Sequence, residues 1–210
     1  GKPENNCLYR SSDFTSSYIE ALRYDRRIIS KLLDRWNAND YDPKFERFKQ
    51  AIPELFDSNI NNPSGRDKPR VVIFTEAIDT LKAIVRALRH SGHSPLAITA
   101  ANRDDMAQKI AANFDANLDP DKQCDDYDTI VTTEVLAEGI NLHRSNVILN
   151  YDAPWNATRL VQRIGRVNRI GSVEEFVHVF NFFPSDEGNR QIRLIEKCQT
   201  SIVSRNVWRR

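Results

Sequence analysis

Cysteine is scarce. Three residues, Cys7, Cys124 and Cys198, lie far apart in a chain of 210. The number is odd and no CxxC occurs, so neither a disulfide framework nor a zinc site is expected, and a reducing cytosol fits this usage. No apolar run is long enough to cross a bilayer and no secretory leader is recognisable, so no membrane partner is expected. No GxGxxG or GxSxG occurs, which removes a dinucleotide fingerprint and a nucleophile elbow. The single methionine is Met106 and the chain opens Gly1-Lys2-Pro3; the expectation is a piece of something longer. Excess charge is also missing: 30 basic against 29 acidic residues leave a formal net charge of +1. Attraction to anions must therefore come from local patches. Hydrophobic residues make up 40%, enough for a core. The length suits one large domain, or one domain with a helical attachment.

One such patch stands out. Between Asp152 and Glu174 there is no acid, while Arg159, Arg163, Arg166 and Arg169 fall in the same stretch. On a helix at about 100° per residue, Arg159, Gln162, Arg163, Arg166 and Arg169 share an arc of about 120° beside a stripe of Leu160, Ile164 and Val167. The stripe is expected to dock on a sheet and the arginines to line one edge of the helix. Clustered guanidiniums repel unless an anion or an acidic partner compensates, and their planar fork suits phosphate. Gly165 inside this helix costs roughly 1 kcal/mol relative to Ala and suggests close passage of another backbone or a ligand. A solvated helix whose arginines pair with distant acids is the alternative left open by the charge pattern alone.

Two helices are expected first, from Phe14 to Trp36 and from about Pro43 to Phe56, with Pro53 kinking the second or ending it early. "DSNINNPSGRDKP" (57–69) reads as a loop. Short β-branched runs then alternate with helical patterns. "RVVIFT" (70–75), "SPLAIT" (94–99), "DTIVTT" (128–133), "SNVILNYD" (145–152) and "EEFVHVFNFF" (174–183) read as strands. Between them lie helices in "AIDTLKAIVRALRHSG", in "NRDDMAQKIAANFDAN" with Asn102 as N-cap, in a short "EVLAEG" turn, and from near Asn156. A last helix is expected from about Glu187 to Val203. His90 and His93 read as solvated turn residues, Cys198 as core, Trp155 as packing or cleft rim, and Arg205, Arg209 and Arg210 as a basic tail. Such alternation implies a parallel sheet of about five or six strands with helices on both faces. Ligands of such sheets sit beyond the carboxyl ends of the strands, after Thr75, Thr133 and Asp152. The divisions expected are an N-terminal helical extension at 1–60, the α/β domain at 61–204 and the tail at 205–210.

These segments resemble superfamily 2 helicases and translocases. "QRIGRVNRIG" (162–171) resembles motif VI, "TTEVLAEGINL" (132–142) motif V and "RVVIFTEAIDTL" (70–81) motif IV. "VILNYDAPWN" (147–156) is similar to the segment before motif VI in Swi/Snf-type enzymes, and "DPKFERFKQAI" (42–52) to the helix leading into that lobe. The nearest flavour is the bacterial Swi/Snf-like group that includes RapA. The likeness runs in order from Asp42 to about Cys198 and implies an α/β, RecA-like C-terminal lobe with N-terminal helices.

The resemblance also implies roles. Arg166 and Arg169 match the arginines that face ATP phosphates across an interlobe cleft, with Arg169 as arginine finger. Gln162, Gly139, Glu138 and Asn141 fall on the nucleotide side. Thr75, Thr132 and Thr133 match positions that touch the nucleic-acid backbone, through phosphate and so with little sequence specificity. ATP and magnesium are the implied cofactors, most of their site lying in an N-terminal RecA-like lobe of the same parent chain. That lobe's GxxxxGK[ST] loop and a DEAD or DExH string do not occur in this sequence. The isolated lobe is thus expected to be inactive and the parent to be an ATP hydrolase. Its partner is expected to be nucleic acid, with double-stranded DNA preferred, in the bacterial cytoplasm or nucleoid. The competing reading is a non-catalytic phosphate- or nucleic-acid-binding module.

Overall fold

A computed structural model describes residues 10–39, 41–133, 140–154, 156–168 and 170–183. The chain divides into two compact units, Gly1–Glu46 and Arg47–Arg210. In the first, α1 (Ser16–Asn37) begins where the Thr15 side chain accepts the Tyr18 N–H, and none of its residues is buried. Helix α2 (Pro43–Leu55) contributes Phe48, Ile52 and Leu55 to the buried set. Pro53 lies in its last turn and the helix stops two residues later, as a residue without an amide proton would dictate.

The second unit is built on five parallel strands: β1 (Val71–Thr75), β2 (Pro95–Ile98), β3 (Thr129–Thr133), β4 (Val147–Asn150) and β5 (His178–Asn181). Their order is β2-β3-β1-β4-β5. Every strand found lies within one of the short apolar runs read as strands. The first four are buried nearly throughout, which is why they lack hydrophobic–polar alternation. β5 is only half-buried and shorter than its apolar run. Glu174, placed in that strand by its neighbours, instead accepts the Ser64 N–H at 3.1 Å.

Helices α3 (Ile78–His90), α4 (Arg103–Phe114) and α5 (Ala157–Val167) complete the layers. Val72, Phe74, Ile130 and Ile148 form one core cluster with Ile110 and Phe114 of α4 and Val167 of α5. Side chains alternate along a strand, so Val71, Ile73 and Leu149 face the other side, where α3 buries Leu81, Ile84, Val85 and Leu88. Asn102 does stand at the N-cap position of α4 but makes no cap bond. Its side chain instead accepts the Thr99 N–H at 2.8 Å and donates to the Ala97 carbonyl at 3.0 Å, tying β2 to the helix.

The amino ends of the strands are held by charge. Arg70, only 1% exposed, donates to Asp67 and Asp125, each at 2.5 Å. Arg144 reaches Asp67 at 2.6 Å and Asp125 at 2.8 Å, and also donates to the carbonyls of Asn113 and Cys124. Burial pushes the carboxyls of Asp67 and Asp125 up. Hydrogen bonds from Arg144, with help from Arg70 and Lys68, outweigh it and hold both below the ordinary carboxylate value. Burial likewise works against Arg144, and the two aspartates raise its affinity for the proton. His93 is not a solvated turn residue: it stacks on Phe56 with 3.7 Å between ring centroids and lies 3.1 Å from Asp128.

Candidate nucleotide and nucleic-acid site

The connections from β1 run towards β3 and β2, whereas β4 and β5 extend the sheet on the other side of β1. The winding therefore reverses at the β1/β4 boundary, where doubly wound sheets open a crevice at their carboxyl ends. Asp152 bridges that boundary. Its carboxylate accepts the Thr75 hydroxyl at 2.7 Å and the Glu76 N–H at 2.9 Å, which fixes the loop leaving β1 against the loop leaving β4.

α5 starts at this boundary. Asn156 caps it by accepting the Thr158 N–H at 2.8 Å. Leu160 and Val167 are buried, as the apolar stripe requires. Arg163 departs from the expected row. It is 5% exposed, donates to Asn150 Oδ1 at 2.5 Å and to the Asp152 carbonyl at 3.2 Å, and lies 4.7 Å over the Phe74 ring. The reason is angular: at about 100° per residue it sits about 40° from Val167 and 60° from Leu160, nearest of the arc to the apolar stripe. It is an anchor of the helix on the sheet. Asn150, whose other end donates to Asn181 at 2.8 Å, continues this polar seam to β5.

Gln162 is exposed and Arg166 half-buried. Neither side chain makes a hydrogen bond or ion pair with another described residue. The Arg166 carbonyl accepts the Leu142 N–H at 3.1 Å, which places residue 142 beside the arginine end of α5. A Cβ at Gly165 would meet no described neighbour within 4 Å. No described residue therefore approaches closely enough to account for that glycine.

The threonines converge, though inward. Thr75 pairs in register with Thr133, and Phe74 with Thr132. Thr75 and Thr132 are fully buried, Thr133 is 9% exposed, and the Thr132 hydroxyl donates to the Thr133 carbonyl at 2.7 Å. Asn141 donates to Asp115 at 3.1 Å. Glu138, Gly139 and Arg169 lie outside the described residues, as do Trp155, Cys198, the 187–203 helix and the basic tail. Asn150 and Asp115 were not legible as site neighbours, because their partners are 13 and 26 residues away and nothing local marks them.

Residues 44–171 match the model of the helicase conserved C-terminal domain. The chain belongs to this family. It is 30% identical over 162 residues to the uncharacterized ATP-dependent helicase YqhH of Bacillus subtilis, covering 77% of this chain and 25% of that protein. It is 34% identical over 107 residues to the ATP-dependent RNA helicase ROK1 of Eremothecium gossypii, covering 51% and 17%. The chain thus spans a quarter or less of these relatives' length. Among solved structures, the C-terminal part of the Fun30 ATPase domain superposes with a TM-score of 0.52 at 18% identity, over 74% of this chain and 46% of that one. The helicase C-terminal domain therefore has here the five-stranded, RecA-like sheet described above.

Proposed function

We propose that this helicase C-terminal domain is the second lobe of an ATP-dependent, Swi/Snf-type translocase and that it supplies the arginines which face the triphosphate. The observation that carries this reading is the division of labour along α5. Arg163 is spent on Asn150 and Asp152, whereas Arg166, one turn on, meets no described acid. A cation on this helix with no described counter-charge suits an external polyphosphate.

In this reading Arg166 and Arg169 approach the phosphates when a preceding lobe closes on the domain, with Arg169 as finger and Gln162 ordering the cleft. Glu138, Gly139 and Asn141 line the same side. Among the described residues no group of three or more His, Cys, Asp or Glu could hold a metal ion; magnesium is assigned to the other lobe, where it would neutralise phosphate charge. Thr75 and Thr132 carry the backbone grip only if their hydroxyls turn from the internal acceptors they now use, so we assign them, with Thr133, the role of fixing the loops that touch nucleic acid. The preferred track is double-stranded DNA. The likeness to ROK1, an RNA helicase by name, supports RNA as the second reading.

The test is ATP turnover by the parent protein with no nucleic acid, with duplex DNA and with RNA. Stimulation by duplex DNA above RNA is expected, and none from the isolated domain. A parent that binds nucleic acid but never hydrolyses ATP would leave the binding-module reading standing instead.

A further inference from the structure

Three segments distant in sequence meet where the chain leaves α5. The Leu142 N–H donates to the Arg166 carbonyl and the Val173 N–H to the His143 carbonyl, both at 3.1 Å. Residues 142 and 143 therefore grip the chain on either side of the turn that follows the helix. Ser172 closes that turn from within, its hydroxyl donating to the Val167 carbonyl at 2.9 Å. The third segment is the loop after α4. Asn117 Nδ2 lies 3.3 Å from His143 Nδ1. On its other side Asn117 Oδ1 abuts Gly171, whose φ is +96° and where a Cβ would approach that oxygen to 2.7 Å. Asp115 holds the asparagine in place, accepting the Asn117 N–H at 2.9 Å while also accepting from Asn141 at 3.1 Å.

We propose that Asn117, an exposed loop residue outside the motif IV, V and VI stretches, is a positioning residue that sets the path of the chain leaving α5 and so the aim of its arginine end. This rests on the reading of α5 as the phosphate-facing helix. Asn117 touches no reacting atom; it acts through His143 and Gly171. An arginine that meets charge developing in the transition state is lost from kcat when misaimed, with little change in ground-state binding.

Asn117→Ala is therefore expected to lower kcat of the parent on the order of 10-fold, within the roughly 100-fold that a 1 Å misplacement can cost, with KM for ATP nearly unchanged. Gly171→Ala should impair turnover twice over, through the strain of an alanine at φ +96° and through its approach to Asn117 Oδ1. The double variant should lose less than the product of the two single losses, because the colliding oxygen is gone; independent, multiplicative losses would overturn the proposal. A second readout needs no activity. Hydrogen exchange on this chain should quicken at the Leu142 and Val173 amides in Asn117→Ala while the thermal midpoint holds, and unchanged exchange there also refutes it. Arg166→Ala separates the two ideas. If it abolishes turnover while Asn117→Ala leaves kcat intact, only this inference fails; if Arg166→Ala and Arg169→Ala both leave turnover intact, the reading of α5 fails.

Discussion

Replacing Arg163 by alanine should unsettle the fold, whereas the same change at Arg166 should not. Arg163 donates from one guanidinium to the Asn150 side chain and the Asp152 carbonyl and covers Phe74. Hydrogen bonds from a charged donor are worth ~1.5–3 kcal/mol each, and a desolvated cation over an aromatic ring ~1–2 kcal/mol. These contributions do not add, because truncation admits water to the carbonyl and removes the cost of burying the charge. Asn150 is fully buried, however, and its oxygen would lose this donor. We expect a net loss of ~2–4 kcal/mol. For a chain of this size that lowers the melting midpoint by about 4–16 °C. Arg166→Ala, half-exposed and without a described side-chain partner, should stay within about 0.5 kcal/mol. Urea denaturation of the two variants, followed by circular dichroism, makes the comparison. Arg163→Lys should fall between, keeping the charge but not the fork. Equal stabilities for Arg163→Ala and Arg166→Ala would refute the division of α5 into an anchor and a presented cation.

Other outcomes follow from the same network of contacts. Asp67 and Asp125 titrate below the ordinary carboxylate value when folded, so their stabilising contribution is complete above that value and is lost as pH falls through their lower folded values. Asp67→Asn should flatten acid unfolding in this window and cost ~3–5 kcal/mol at neutral pH, since it removes a carboxylate from two buried arginines; chemical denaturation between pH 3 and 7 tests both. Asn156→Ala removes the cap of α5 and should cost ~1 kcal/mol, with Asn156→Ser restoring most of it, as read by thermal melting.

The layering was legible because each buried strand declares itself in a short β-branched run, and each helix in its apolar stripe. Val71–Thr75 and Thr129–Thr133 needed only local reading. What escaped was direction. Arg163 stands nearest the apolar stripe on a helical wheel, but the groups it turns to, Phe74, Asn150 and Asp152, are fixed by strand register and not by local pattern. Asn102 stood where a cap belongs yet serves β2 instead, because the Ala97 carbonyl lies in reach. The threonines were read as contacts to a ligand from their place at strand ends. Asp152 takes the Thr75 hydroxyl, a pairing 77 residues apart that no local pattern encodes. β5 proved shorter than its apolar run, and Glu174 before it accepts from Ser64, 110 residues away, a contact no local pattern encodes.

The central claim is that α5 presents cations to a triphosphate held by another lobe. The direct measurement is nucleic-acid-stimulated ATP turnover of the parent protein carrying Arg166→Ala or Arg169→Ala. The account predicts a loss of roughly 10³-fold or more for Arg169→Ala, the scale of an arginine finger, with nucleic-acid binding retained. Turnover within a factor of about 2 of wild type in both variants would contradict it.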